Sequence, residues 1–282
     1  MAAVRPFRVV THKNWLAAIF QPFGAVQDFG FDIDPGTALS TYWWAPGAWV
    51  ARASKAGVDL PVLSCGPYWL DRLPMPYVGR VVRTVPLSAL TNDSAGPVFL
   101  KLPEAKIDSC PARVYDTPRL ADTWRQFGFP ETTLVQQQSV VDFTTEARFF
   151  IADGALTTGS PYRHRDWTWG TGTTPDLSVE MRILEQLAAA VLGDPEIARP
   201  PGFVLDVGLT SGGKALVIEA NAAWSSNPYD ADPAGVVAAI KASHDFHNLH
   251  SNWLWSHRTN PTWTTAAPLK VVAGPSITTA LR

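Results

Sequence analysis

Residues 203–221, FVLDVGLTSGGKALVIEAN, constrain this chain more than any other stretch. Two strongly apolar runs flank the pair Gly212–Gly213, and each run carries one acid, Asp206 or Glu219. A two-residue glycine turn between β-forming runs reads as a hairpin. Closing it there sets Ser211 against Lys214 and Asp206 directly opposite Glu219. Alternation along the strands then gives two faces. Leu205, Val207, Leu209, Leu216, Ile218 and Ala220 make an apolar face that belongs in a core. Val204, Asp206, Gly208, Val217, Glu219 and Asn221 make the other. Like charges directly opposed destabilise a sheet, and burial raises the cost. Either both acids face solvent or a cation lies between them. Carboxylate oxygens on rigid strands suit Mg²⁺, which takes its remaining ligands from water and phosphate. Asp206, Glu219 and Asn221 are therefore the candidate metal ligands.

Around this hairpin the chain alternates strands with a few helices. GPVFLKLP (residues 96–103) reads as a strand ended by proline. DTPRLADTWRQFG reads as a helix capped by Asp116 or Thr117, with Pro118 in its first turn and Gly128 at its end. TTLVQQQSVV and ARFFIADGALTTGS read as strands, the latter folding back through a tight ADG turn. PDLSVEMRILEQLAAAVLG places Leu177, Met181, Leu184 and Leu187 at helical spacing. A last helix is expected from about Pro233 to His244, followed by an irregular tail. Residues 1 to about 85 read as a small α/β lobe with a helix near Trp49–Ala56. The order is α+β with largely antiparallel sheets.

Several classes of function drop out. At 282 residues with 46% hydrophobic and 17% charged residues, the chain is long and apolar enough for a sizeable core. A formal charge of −2 gives no bulk basic surface for nucleic acid. Two cysteines, Cys65 and Cys110, make neither a disulfide framework nor a zinc spacing. No run is apolar enough to span a membrane and the amino terminus lacks a secretory h-region, so a cytoplasmic protein is expected. GLTSGGKA resembles a P-loop only superficially: Ala215 stands where Ser or Thr should bind Mg²⁺, and a strand follows instead of a helix. QDFG at residues 27–30 lacks the rest of a kinase signature. His244, His247 and His250 share a three-residue spacing; zinc binding and an ordinary helix end are both open readings.

Three stretches together, VFLKLPEAK, LVQQQSVVDFTTEARFF and VLDVG…GGKALVIEANAAWSSNPYD, resemble the ATP-grasp superfamily. The likeness spans roughly residues 80–243 and is closest to small ATP-grasp domain proteins with E-x-R-F-F and I-E-x-N signatures. The resemblance implies an ATP-grasp fold: two α/β lobes gripping ATP, beside a small amino-terminal α/β lobe. It divides the chain into an amino-terminal lobe at 1–85, a grasp domain at 86–243 (lobes 86–135 and 139–243) and a tail at 244–282. It also implies the roles. Asp206, Glu219 and Asn221 hold Mg²⁺ against the ATP phosphates. Lys101 touches the α/β-phosphates and Lys106 is a second candidate. The linker with Gln137, Gln138 and Val140 binds adenine and Asp142 contacts ribose. Glu146 and Arg148 share a strand face, and Arg148 steadies the transferring phosphoryl group. Arg80 or Arg83 stands where an upstream phosphate lysine is usual. Beyond the resemblance, Arg163 in a polar loop is a candidate for an anionic substrate, and Ser225, Ser226 and Asn227 for the acceptor pocket.

The implied activity is an ATP-dependent carboxylate–amine ligase acting on small-molecule or peptide substrates through an acyl phosphate. The rival readings are a nucleotide-binding or peptide-recognition module without turnover, and a ligase that modifies a protein or nucleic-acid end.

Overall fold

The computed structural model describes residues 4–92, 96–107, 110–256 and 267–272. The first strand, β1 (Phe7–Val10), alternates an exposed Arg8 with buried Phe7, Val9 and Val10. It crosses through α1 (Asn14–Phe20) to β2 (Ala25–Asp28), which lies parallel to it. A short β3 (Asp32–Ile33) and α2 (Pro35–Ala38) lead to β4 (Tyr42–Trp44), parallel on the other flank of β1. Asp34 caps α2 by accepting from the Gly36 N–H, and Pro35 opens its first turn. Then come α3 (Gly47–Lys55) and α4 (Met75–Val78), the latter stopped by Gly79 at φ 60°.

A four-stranded antiparallel sheet follows, built from β5 (Val82–Pro86), β6 (Val98–Lys101), β7 (Arg113–Tyr115) and β8 (Leu134–Ser139) in the order β5-β8-β6-β7. Its first strand crosses the division expected at residue 85. The short helix α5 (Leu120–Arg125) buries Leu120 and Trp124 against Leu87, Leu100 and Val135. It starts later than expected because Thr117 Oγ1 turns back to accept from the Arg119 N–H, a local bond that competes with helix.

The largest sheet has five antiparallel strands in the order β11-β10-β9-β12-β13: β9 (Phe143–Ala152), β10 (Ala155–His164), β11 (Trp167–Thr168), β12 (Gly202–Thr210) and β13 (Ala215–Asn221). Asp153 and Gly154 join β9 to β10 with φ of 50° and 80°, the two left-handed residues that a two-residue hairpin requires. On one face α6 (Ser178–Gly193) sets Leu184, Ala188 and Val191 on Phe149, Ile151, Phe203, Leu205 and Val207. On the other face α7 (Pro233–Ala242) sets Val236 and Ile240 on Phe150 and Val204. Each large side chain so buried contributes roughly 1.5–3 kcal/mol. The approach is close: a Cβ on Gly202 would lie 2.2 Å from the Ser243 nitrogen.

Phe7, Val9 and Trp44 of the amino-terminal sheet, with Phe20 of α1, share the α7 core, so that sheet is continuous with the five-stranded unit. Beyond α7, Trp255 and Leu269 bury themselves among Trp43, Trp49 and Trp224, and β14 (Lys270–Val271) pairs parallel with β3. The stretch expected to be an irregular tail thus contributes to a core, although residues 257–266 and 273–282 lie outside the described ones. No helix among the described residues is long and apolar enough to cross a membrane.

The β12–β13 hairpin pairs Asp206 with Glu219, but the two-residue turn does not form. The Thr210 N–H donates to Lys214 O and the Gly213 N–H to Thr210 O, leaving Ser211–Gly213 in the loop. This shifts the pairs next to the turn by one residue, Val207 to Val217 and Leu209 to Ala215. A β-bulge at Ile218 restores the pairing beyond it. Val217 therefore joins Leu205 and Val207 in the core, and Ile218 faces the cleft with Glu219, the reverse of what strict alternation predicts.

Candidate functional site

A cleft of about 850 Å³ is walled by the four-stranded sheet, the five-stranded sheet and the Trp44–Ala48 segment of the amino-terminal part. Its floor is a row of charges crossing three strands: Arg148 on β9, Asp206 on β12 and Glu219 on β13, neighbours by register. Arg148 Nε and Nη2 donate to Asp206 Oδ1 and Oδ2, each at 2.8 Å, a bidentate pair almost wholly withdrawn from water. Its Nη1 donates to Asn227 O at 3.2 Å, and its guanidinium carbon lies 5.0 Å from the Tyr229 ring centre. From the facing sheet Lys101, the last residue of β6, makes an ion pair with Glu219. Asn221 Nδ2 bridges the two acids, donating to Asp206 Oδ2 at 2.9 Å and Glu219 Oε1 at 2.8 Å. The like-charge conflict is thus offset by two cations and a shared amide. Farther along β9, Glu146 pairs with Arg163 of β10.

The donor set suits a hard divalent cation. Two carboxylates and one amide end within hydrogen-bond distance of each other, and a half-turn of the Asn221 amide presents its oxygen in place of nitrogen. All three are oxygen donors, the kind Mg²⁺ takes. Among the described residues no cluster of three or more His, Cys, Asp or Glu exists as a competing metal centre.

On one side of the charged row, Phe99, Val114, Val141, Phe143 and Ile218 form an apolar slot beside the β8 end at Gln138–Val140. On the other side stand Trp44, Trp224, Ser225, Ser226, Asn227 and Tyr229. Two hydrogen bonds stitch that end together: Trp44 Nε1 to Ser226 O at 2.9 Å and the Ala45 N–H to Trp224 O at 2.7 Å.

Residues 77–239, more than half of the chain, match a family model described as an ATP-grasp domain, the second family of its clade. The chain belongs to this ATP-grasp family. Members of the family are ATP-dependent carboxylate–amine ligases. No curated protein matches. Among solved structures, a RimK domain protein ATP-grasp from Sphaerobacter thermophilus DSM 20745 is 15% identical, with 84% of this chain and 98% of that one covered at a TM-score of 0.45. D-alanine–D-alanine ligase from Bacillus anthracis, complexed with ATP, is 12% identical, with 86% and 96% covered at 0.48. Cdc123 from Schizosaccharomyces pombe is 14% identical, with 57% and 83% covered at 0.36.

In this ATP-grasp chain the cleft gathers Lys101, Lys106, Gln138, Val140, Glu146, Arg148, Arg163, Asp206, Glu219 and Asn221. Gln137 and Asp142 are not among its lining residues. Gln137 alternates to the outer face of β8, and Asp142 is exposed, beyond the end of that strand. Arg83 is exposed on β5 away from the cleft, whereas Arg80 lines it. The three histidines do not share a helix face. α7 ends at Ala242, and His244 is buried with Nε2 accepting from the Trp43 N–H and Nδ1 bonded to Ile240 O. The backbone N–H groups of His247 and His250 both donate to Asp245.

Tyr162, Tyr229, Trp44 and Ile218 escaped the sequence reading. Tyr162 follows an alternation that a bulge near Pro161–Arg163 breaks, and Tyr229 reaches the site from a left-handed backbone position at φ 52°. The two rings stack at 5.1 Å beside Arg148.

The electrostatics follow from burial. Desolvation and then the Asp206 charge push the Tyr162 hydroxyl well above the usual tyrosine range. Desolvation, then the Lys106 charge, pulls Lys101 down to about 7, against the opposing charges of Asp206 and Glu104. Lys106 is pulled the same way by desolvation and Arg148. For Arg148 burial alone disfavours the charge, but the Asp206 carboxylate outweighs it and raises the guanidinium further.

Proposed function

We propose that this chain is an ATP-dependent carboxylate–amine ligase working through an acyl phosphate. The observation that carries the reading is the row Arg148–Asp206–Glu219 with Asn221, met by Lys101 from the opposite sheet inside one cleft. The apolar slot of Phe99, Val114, Phe143 and Ile218 receives the adenine, and the backbone at Gln138–Val140 offers it hydrogen bonds. Lys101 and Lys106 place point charges against the phosphates. Asp206, Glu219 and Asn221 hold Mg²⁺, which when bound neutralises phosphate oxygens. Arg148 is anchored so that its charge stands ready where the phosphoryl group moves, at little reorganisation cost.

In the first step an oxygen of the substrate carboxylate attacks the γ-phosphorus. The bond to the β–γ bridging oxygen breaks, and ADP leaves. In the second an amine attacks the acyl carbon, phosphate leaves with the C–O electrons, and the amine proton passes to solvent. Arg163 and the Trp44–Ala48 segment frame the acceptor end. Use of ATP and two free buried cysteines support a cytoplasmic setting.

The test is ADP release from Mg²⁺-ATP with a panel of amino acids and small peptides, wild type against Glu219→Ala. Substrate-stimulated release by the wild type and its loss in the variant are expected. Equal release by the two proteins refutes the site assignment.

A further inference from the structure

Arg80 is 5% exposed, at the junction of the two sheets. The residue before it, Gly79, takes φ 60°, and a Cβ there would lie 2.6 Å from the Leu216 side chain of β13. The chain thus passes against the outer edge of the strand that carries Glu219. Four of the five guanidinium N–H groups are engaged. Nη1 donates to Val78 O and Val217 O, both at 2.8 Å. Nη2 donates to Ile218 O at 3.0 Å, and Nε to Gln138 Oε1 at 2.8 Å.

Val217 and Ile218 are consecutive, and their carbonyls meet one guanidinium. In a regular antiparallel strand successive carbonyls point to opposite edges, so a single side chain cannot take both from one side. The bulge at Ile218 turns both toward the free edge of β13, the outermost strand of its sheet. Buried carbonyls left without donors are costly, and the fork of Arg80 meets both.

The bulge decides which way the acids face. Without it, the pairing nearest the turn would continue along β13. Asp206 would then face Ile218, and Glu219 would move opposite Leu205, on the core side. A one-residue slip exchanges the faces of a strand.

Resting on the ligase reading, we propose that Arg80 is a positioning residue: it holds the β13 bulge and thereby keeps Glu219 and Asn221 on the cleft face, next to Asp206. Its bond to Gln138 extends the same hold to the base-binding end. Gln138 Nε2 is in turn spent on Gln136 Oε1 at 2.8 Å, so the Gln138 amide has one orientation.

The test uses Arg80→Met and Arg80→Lys in the full chain. A fluorescent ATP analogue is titrated with Mg²⁺ and with EDTA, and the ligand-free structure of each variant is determined. Arg80→Met is expected to lose about 10- to 100-fold in the Mg²⁺-dependent part of the affinity, the scale seen when an outer-shell partner is removed. Metal-free nucleotide binding should change little. Lysine keeps the charge but cannot fork onto two carbonyls and an amide, so it should fall between. In the ligand-free Arg80→Met structure Glu219 should leave its place opposite Asp206.

An equal loss with and without Mg²⁺ overturns the proposal in favour of direct contact with the nucleotide. So does a ligand-free variant that retains the bulge. Should Arg80→Met fail to fold, Arg80→Lys decides by the same two measurements. A wild type that binds no nucleotide refutes the ligase reading instead, and the ligand-free structures still judge Arg80.

Discussion

Asp206→Asn and Glu219→Gln are alike on paper and should differ sharply in the folded chain. Asp206 receives two N–H groups of Arg148 and one of Asn221, with pair side-chain exposures of 4% and 2%. Replacing one carboxylate oxygen by NH₂ sets a donor against donors and leaves a buried guanidinium that cannot lose its proton. Removing one partner of such a pair costs roughly 3–5 kcal/mol. Glu219 faces Lys101 at exposures of 14% and 13%. Desolvation and Lys106 already pull Lys101 below the ordinary lysine range, so in Glu219→Gln the lysine sheds its proton and the loss is nearer about 1–2 kcal/mol. A gap of about 2 kcal/mol corresponds to roughly 4–8 °C in Tm for a chain of this size.

A pH dependence is expected in both variants. The folded-state pKa of Lys101 is about 7 with Glu219 present, below the unfolded value of about 10.4. The unfolded chain binds more protons between the two values, so stability rises with pH across that window. Arg148 does not titrate there, and because the Asp206 charge also raises Lys101, Asp206→Asn keeps the same upward slope. The assay is urea unfolding of the ligand-free variants, followed by tryptophan fluorescence at about pH 7 and about pH 9. A deficit in Asp206→Asn no larger than in Glu219→Gln, or stability that falls from about pH 7 to about pH 9 in either, would refute the reasoning.

Three further outcomes follow from named contacts. Burial lowers the folded pKa of His244 to about 4. Its contribution is therefore present above the unfolded value of about 6.5 and lost as pH falls toward 4, up to roughly 3 kcal/mol; His244→Asn should lose that acid slope in urea midpoints. Gly202→Ala drives a methyl into the Ser243 and Ala242 backbone and should cost about 1–3 kcal/mol by equilibrium unfolding. Phe99→Ala should weaken a fluorescent ATP analogue by about tenfold, the transfer free energy of most of a buried ring, while leaving the Mg²⁺ dependence intact.

What could be read from the residues was the chemistry of the hairpin, not its path. Alternation and a glycine pair placed Asp206 opposite Glu219, and the structure has that pair. The turn assumed for it does not form. Its one-residue error is cancelled by the bulge at Ile218, so Val217 and Ile218 face opposite to expectation. Local pattern cannot foresee the bulge, because its carbonyls are held by Arg80, well over a hundred positions away. The long helix α6 was legible because its apolar period is strong and its burial one-sided. Tyr229 was not, since nothing in a turn sequence shows which ring will lie against a distant arginine. Gln137 and Asp142 fall outside the cleft lining for simpler reasons: assigning a linker to the cleft does not say which of its alternating side chains turn inward, and Asp142 lies exposed in the connection between β8 and β9.

The distribution of cores has a mechanical corollary. Leu87, Leu100, Trp124 and Val135 make an interior that belongs to the four-stranded sheet alone. The amino-terminal strands, by contrast, are welded into the packing around α7. If the walls of the cleft part to admit or release cargo, the larger body is expected to stay rigid and the four-stranded sheet to move. The bonds across that boundary include Lys101 on Glu219, Gln138 on Arg80, Thr84 on Asp71 and Glu104 on Ser64 and Gly66.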